Sequence, residues 1–153
     1  MLIRPARASE HDALEALQTR ASLANPRDRE ALLASPDAIE LLDHQIAAGR
    51  VFVAEQDGAV AGFAVITPRD DGDVELDGLF VEPSQWQQGI GRLLVEHCAT
   101  VARQGGSTAL HVIGNPHASA FYDRCGFERG GTIETRFGIG LLFRKALRIS
   151  RDS

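Results

Sequence analysis

Residues 81–97 read VEPSQWQQGIGRLLVEH, and the stretch changes character halfway along. The apolar run Gly78-Leu79-Phe80-Val81 stops at Pro83, a glutamine-rich segment follows, and Gly89-Ile90-Gly91 then opens a helical pattern. That pattern places Ile90, Leu93, Leu94, Cys98 and Val101 on one face, and Gly105-Gly106 ends it. Glycine costs a helix about 1 kcal/mol against alanine, so two glycines at a helix start need a reason. The first turn of a helix carries backbone N–H groups without intrahelical partners and the positive end of the dipole. Glycines there let an anion approach the backbone closely, which points to a phosphate. A tight turn with glycines serving packing alone is the other reading of the same residues.

Two familiar phosphate motifs are excluded. A P-loop needs Gly-Lys-Ser/Thr, which is absent, and a dinucleotide fingerprint needs a third glycine where Leu94 stands.

Outward from this stretch, the chain alternates between helical and strand periods. Leu2–Ala6 reads as a first strand, and Ser9 with Asp12 resembles a capping box opening a helix striped by Ala13, Leu14, Leu17 and Ala21. Asn25-Pro26 interrupts it, and Ser35-Pro36 marks a second helix start, striped by Ile39, Leu42 and Ile46 until Gly49. Two strands, 50–56 and 59–67, flank the hairpin signal Asp57-Gly58. The acidic loop 69–73 then leads to the strand 74–81, the helix of the opening stretch, a strand at 108–113, a helix from Pro116 and two last strands ending near Leu147.

This order predicts an α/β fold: one domain over 1–153, with a mixed, mostly antiparallel sheet and flanking helices. In the strand 74–81, Val74 and Leu76 share a face while Leu79 and Val81 fall on the opposite parity. A β-bulge at Gly78 would restore the phase; a strand buried on both faces would explain the pattern equally.

The 153 residues are long enough to bury a core, and 44% hydrophobic with 24% charged residues is ordinary for a globular chain. No signal-peptide pattern or membrane-length apolar run is visible, so a cytoplasmic protein without membrane attachment is expected. The net charge of −5 argues against non-specific nucleic-acid binding. Cys98 and Cys125 are expected to be reduced apolar residues, and His11, His44, His97, His111 and His117 show no metal spacing, so no metal is expected.

A second constellation, NPHASAFYDRCGF at 115–127, joins the first. Together they resemble the GCN5-related N-acetyltransferase (GNAT) family. Its V-x-P-x-x-(Q/R)-x-x-G-x-(G/A) pattern is met by Val81, Pro83, Gly89 and Gly91, and its N-x-x-A-x-x-F-Y-x-x-x-G-F pattern by Asn115, Ala118, Phe121, Tyr122, Gly126 and Phe127. The chain departs at Trp86, where the family usually carries Gln or Arg.

The resemblance implies a fold with a splayed central strand pair, acetyl-CoA as co-substrate and a small-molecule or peptide amine as acceptor. By it, the diphosphate lies on the N–H groups of Gln87, Gln88, Gly89, Ile90, Gly91 and Arg92, and the pantetheine arm runs beside Leu79, Phe80 and Val81. The thioester oxygen meets the N–H of Val81 or of Phe80; Asn115 and Phe121 belong to the cofactor site; Tyr122 is the general acid. Glu75 stands at the base position, with Asp77 as its rival on the same face. His111 and His117, flanking Asn115, are candidate proton relays or ordinary structural histidines. The acidic run Asp70, Asp71 and Asp73 suggests steering of a cationic acceptor, or a solvated loop. A sensor that binds acyl-CoA without turnover, a preference for a longer acyl chain, and a homodimer all stay open.

Overall fold

The computed structural model describes residues 1–25, 41, 43–114, 116–135 and 138–147. Seven strands, β1 (Leu2–Pro5), β2 (Val51–Gln56), β3 (Ala59–Pro68), β4 (Val74–Val81), β5 (Ala109–Gly114), β6 (Glu128–Thr135) and β7 (Gly138–Ala146), form one sheet in the order β1-β2-β3-β4-β5-β7-β6. Pairing is antiparallel at β1/β2, β2/β3, β5/β7 and β6/β7, and parallel at β4/β5. This is the mixed, mostly antiparallel α/β arrangement expected from the order of elements. The described helices are α1 (His11–Ala24), α2 (Asp43–Ala47), α3 (Ile90–Gln104) and α4 (Ser119–Arg124). None is long and apolar enough to cross a membrane. The helix start expected at Ser35-Pro36, with Ile39 and Leu42, lies outside the described residues.

The chain groups into two compact units, Met1–Val65 with Gly78–Leu94, and Ile66–Asp77 with Val95–Ser153. In the first, Asp57 (φ 52°) and Gly58 (φ 80°) are both left-handed, which is what a two-residue hairpin turn between right-twisted strands requires. Leu14 and Leu17 of α1 pack with Leu41, Ile46, Val51, Val53, Phe63 and Val65 into one cluster. The expected Ser9–Asp12 box does not form: a single 3-10 turn, Ala8–Glu10, leads into α1, whose start carries no side-chain cap. Glu10 Oε1 accepts the Arg7 N–H at 2.8 Å, and both its oxygens take Arg4 at 2.9 and 2.8 Å. Asp12 instead meets the neighbouring His11 ring.

Phe80 packs on Phe63, ring centroids 5.3 Å apart, and against the same cluster. A side chain at Gly78 would point at the Phe80 ring and Val65. The inward residue here is therefore Phe80, with Leu79 and Val81 half-buried on the other face.

In the second unit, Val95, Cys98 and Ala102 of α3 are buried, and burial pushes the Cys98 thiol up to about 12, as suits an inert apolar residue. Strand β5 is held along its length by β7, from Ala109 opposite Ala146 to Gly114 opposite Leu141. Its parallel register with β4 places Val74 opposite Leu110 and Glu75 opposite His111, at the start of both strands. A register shift between Arg129 and Thr132 falls on the Gly130-Gly131 pair of the exposed strand β6.

Candidate active site

In the first unit the end of β4 is pinned by several contacts. The Glu82 N–H donates to the Ala61 carbonyl at 2.8 Å, and the Glu82 carboxylate takes two hydrogen bonds from Arg20 of α1 at 2.9 and 2.8 Å. That guanidinium holds the Glu82 carboxyl below the usual carboxylate range. Beneath the strand lies Gly62, where a Cβ would stand only 2.8 Å from the Phe80 carbonyl oxygen. The Phe80–Val81 backbone thus sits directly on a glycine.

The two glycines of the opening stretch do different work. Gly89 has φ 83°, a conformation that costs an L side chain, and lies in the exposed bend before the helix. Gly91 is already inside α3, so its use is the absence of a side chain on the first turn. Ile90 and Leu94 anchor that turn, at 1% and 0% exposure, while Gln87, Gln88 and Gly89 face solvent. The Leu93 N–H makes the first helical hydrogen bond, to Gly89 O at 3.1 Å. Gln87 is also left-handed, at φ 66°. Nothing in its residue type signalled that, because glutamine is not among the types that favour this region.

Trp86 has a role that its place in the motif did not reveal. Its indole Nε1–H donates to the Val81 carbonyl at 2.8 Å, so the ring staples the turn back onto the end of β4. The side chain is still 42% exposed.

The second unit holds the other predicted residues. Tyr122, 9% exposed, packs against Phe121, Phe127 and Phe143 at centroid distances of 5.2, 5.5 and 5.0 Å. Its ring lies so close to Gly114 that a Cβ there would come within 2.8 Å of it. Helix α4 ends where Gly126 turns left-handed, at φ 87°, and the Phe127 N–H returns to the Tyr122 carbonyl at 3.0 Å. Glu75 is partly buried, with Oε1 3.6 Å from Arg69 Nη1, whereas Asp77 is exposed. Asn115 and the side chain of His117 lie outside the described residues.

The acidic run is not a uniform solvated face. Asp73 Oδ1 accepts the Thr108 N–H at 2.9 Å, the Thr108 hydroxyl at 3.0 Å and the Ala109 N–H at 3.2 Å, while Oδ2 lies 2.9 Å from His111 Nε2. The His111 contact, followed by these donors, holds the Asp73 carboxyl far below its ordinary range. Asp71 caps the Asp73 N–H at 3.0 Å and pairs with Arg69 at 3.2 Å. Two members of the run are therefore committed to building the loop, which corrects the expectation of three carboxylates available for steering. Sequence reasoning missed the Asp73–His111 pair because the two residues lie 38 positions apart. Asp71, Asp73 and His111 are near enough for their ligand atoms to share an ion, as are His11, Asp12 and Glu15. In the first group, however, the carboxylate and the ring already engage each other.

A mixed sheet whose fourth strand runs through an exposed glycine turn into a helix, and whose fifth is followed by a short Phe-Tyr helix, defines an acetyltransferase-type fold. The chain belongs to the acetyltransferase (GNAT) family, whose model matches residues 14–127. It is 38% identical over 84 residues to the peptidyl-lysine N-acetyltransferase YjaB of Salmonella typhimurium, covering 55% of this chain and 52% of that protein. It is 33% identical over 93 residues to an uncharacterized N-acetyltransferase of Mycobacterium bovis, covering 58% of each. The chain thus spans a little over half the length of the curated relatives it matches. Among solved structures, the ribosomal-protein-alanine N-acetyltransferase of Brucella melitensis matches with TM-score 0.75 and 27% identity, over 96% of this chain and 100% of that one. The PaiA N-acetyltransferase of Thermoplasma acidophilum, solved with coenzyme A, matches in fold with TM-score 0.74 and 17% identity, over 95% and 98%.

Proposed function

We propose that the chain transfers the acetyl group of acetyl-CoA to a primary amine of a small molecule or peptide by direct attack. The observation that carries this reading is the exposed bend at Gln87–Gly89, left-handed at Gln87 and Gly89, that opens into α3 with Gly91 on its first turn. Backbone N–H groups from Gln87 to Arg92 suit a diphosphate, and no side chain at Gly91 obstructs its approach. The structure neighbour that holds coenzyme A supports the choice of co-substrate, and the relatives named for peptidyl-lysine and ribosomal-protein alanine support an amine acceptor.

In this reading the pantetheine arm lies along Leu79–Val81, and the N–H of Val81, or of Phe80, meets the thioester oxygen as it becomes an oxyanion. Trp86 and Arg20 serve the site indirectly by holding the end of that strand. An alkylamine, with an ordinary pKa of about 10.4, arrives protonated and must lose a proton before it attacks. Glu75, or Asp77, faces that ammonium, Asn115 contacts the arm, and Tyr122 protonates the departing thiolate.

The test is release of free CoA from acetyl-CoA across a panel of amines, with longer acyl-CoA thioesters in parallel. Turnover with at least one amine is expected, and Tyr122→Phe should lower kcat about 10- to 1000-fold with a smaller effect on acetyl-CoA affinity. Binding of acetyl-CoA, seen as a raised Tm, without turnover of any amine would make the chain a sensor instead.

A further inference from the structure

Two facts about the second unit converge on His111. The parallel register sets it directly opposite Glu75, so the two side chains project from the same face of the sheet. Phe143, whose neighbour Arg144 is opposite His111 on β7, packs on Tyr122 on the other face. His111 therefore stands with Glu75, on the side away from α4. Its Nε2 is 2.9 Å from Asp73 Oδ2.

We propose that His111, oriented by Asp73, takes the proton from the acceptor ammonium, while Glu75 on the adjacent strand binds that ammonium. The inference rests on the acetyltransferase reading above and names the base within it.

A carboxylate can only accept, so the 2.9 Å contact requires the hydrogen on Nε2 and leaves the ring's lone pair on Nδ1. Asp73 cannot turn away, because Oδ1 is held by Thr108 and Ala109, and it stays ionised because those donors and His111 favour its charged form. A carboxylate fixing tautomer and ring orientation is the arrangement that general-base histidines need. Imidazole is moreover a stronger base than a carboxylate by about two powers of ten on reference values, which suits it better to an alkylamine near neutral pH. Glu75 shares its charge with Arg69, 3.6 Å away. The charged groups around the ring are Asp73 and Glu75 from β4 and its approach, Asp71 and Arg69 from the loop before it, and Arg144 opposite on β7 with Glu128 beyond on β6.

An N–H bond of the ammonium breaks, one forms at Nδ1, and His111 passes that proton to solvent. The amine lone pair attacks the thioester carbonyl carbon, the C–S bond breaks as the amide forms, and the nitrogen loses a second proton while the thiolate gains one.

Long-range 1H–15N NMR of the wild-type protein at a pH where His111 is neutral should show the Nε2–H tautomer, and Asp73→Asn should shift that balance. For the best amine of the panel, His111→Ala should lower kcat/KM about 100-fold or more, remove the acid limb of the pH profile and leave the acetyl-CoA KM within about twofold. Added imidazole should restore part of the rate. A wild-type Nδ1–H tautomer, or a His111→Ala enzyme with kcat/KM within twofold and an unchanged acid limb, would overturn the proposal. The tautomer measurement decides even if the variant does not fold. Wild-type protein inactive on every amine would instead refute the acetyltransferase reading itself.

Discussion

Gly62→Ala is the smallest change that should disturb both the fold and the proposed acetyl-CoA site. The added methyl would stand 2.8 Å from the Phe80 carbonyl oxygen and 3.3 Å from both Val81 Cα and Leu94 Cδ1. Leu94 can rotate, but the oxygen belongs to a backbone pinned by the Glu82–Ala61 hydrogen bond, the Arg20–Glu82 pair and the Trp86 indole. The contact must open by roughly half an ångström, and forcing a methyl into a packed site costs about 1–3 kcal/mol. Alanine returns about 0.4–1 kcal/mol by restricting the unfolded chain. The net loss centres on about 1–2 kcal/mol, which for a chain of this size lowers Tm by about 2–8 °C. Because the displaced atoms lie on the strand assigned to the pantetheine arm, acetyl-CoA affinity should fall as well. Thermal unfolding followed by circular dichroism, with and without acetyl-CoA, measures both effects. Gly131→Ala is the control: nothing lies within 4 Å of its Cβ position, so its Tm should hold or rise. A Gly62→Ala protein as stable as wild type, or more so, would show that β4 does not rest on that glycine.

His11 has an acceptor at each ring nitrogen, Asp12 Oδ1 at 3.0 Å and the Leu41 carbonyl at 2.5 Å, with Glu15 and Asp43 at 3.8 and 3.7 Å. Asp12 first, then the Leu41 carbonyl and the other carboxylates, raise its pKa above the ordinary 6.5. A raised folded-state pKa stabilises fully below the unfolded value and is lost as pH rises through the folded one. Tm should therefore fall more steeply above pH 6.5 in wild type than in His11→Gln, and equal slopes would remove His11 from this role. Trp86→Phe keeps a ring but deletes the bond to Val81, a loss of about 0.5–1.5 kcal/mol that should lower Tm by about 1–6 °C. An unchanged Tm would mean that the indole staple contributes nothing.

Local chemistry made much of this molecule readable in advance. Asp57-Gly58 announced its hairpin because few residue pairs accept left-handed backbone at both turn positions. The glycines at the start of α3 and the Asn115–Phe127 constellation announced the family because a close approach to backbone and a short aromatic helix each demand particular residues at fixed spacing. What resisted was direction. The alternation of β4 did not reveal that Phe80 turns toward Phe63, since a strand with apolar residues on both faces loses the period that identifies its inner side.

The sequence by itself determined the order of elements, the fold class and the residues eligible for the site, because these depend on periodicity, turn preference and spacing within a few tens of residues. Only the tertiary structure decided what those residues touch. Trp86 became a staple, Asp73 a half-buried support and His111 the neighbour of Glu75 through strand register and loop closure. A register is a choice among pairings whose local energies are nearly alike, and it is settled by burial of the whole sheet, which no short stretch of sequence records.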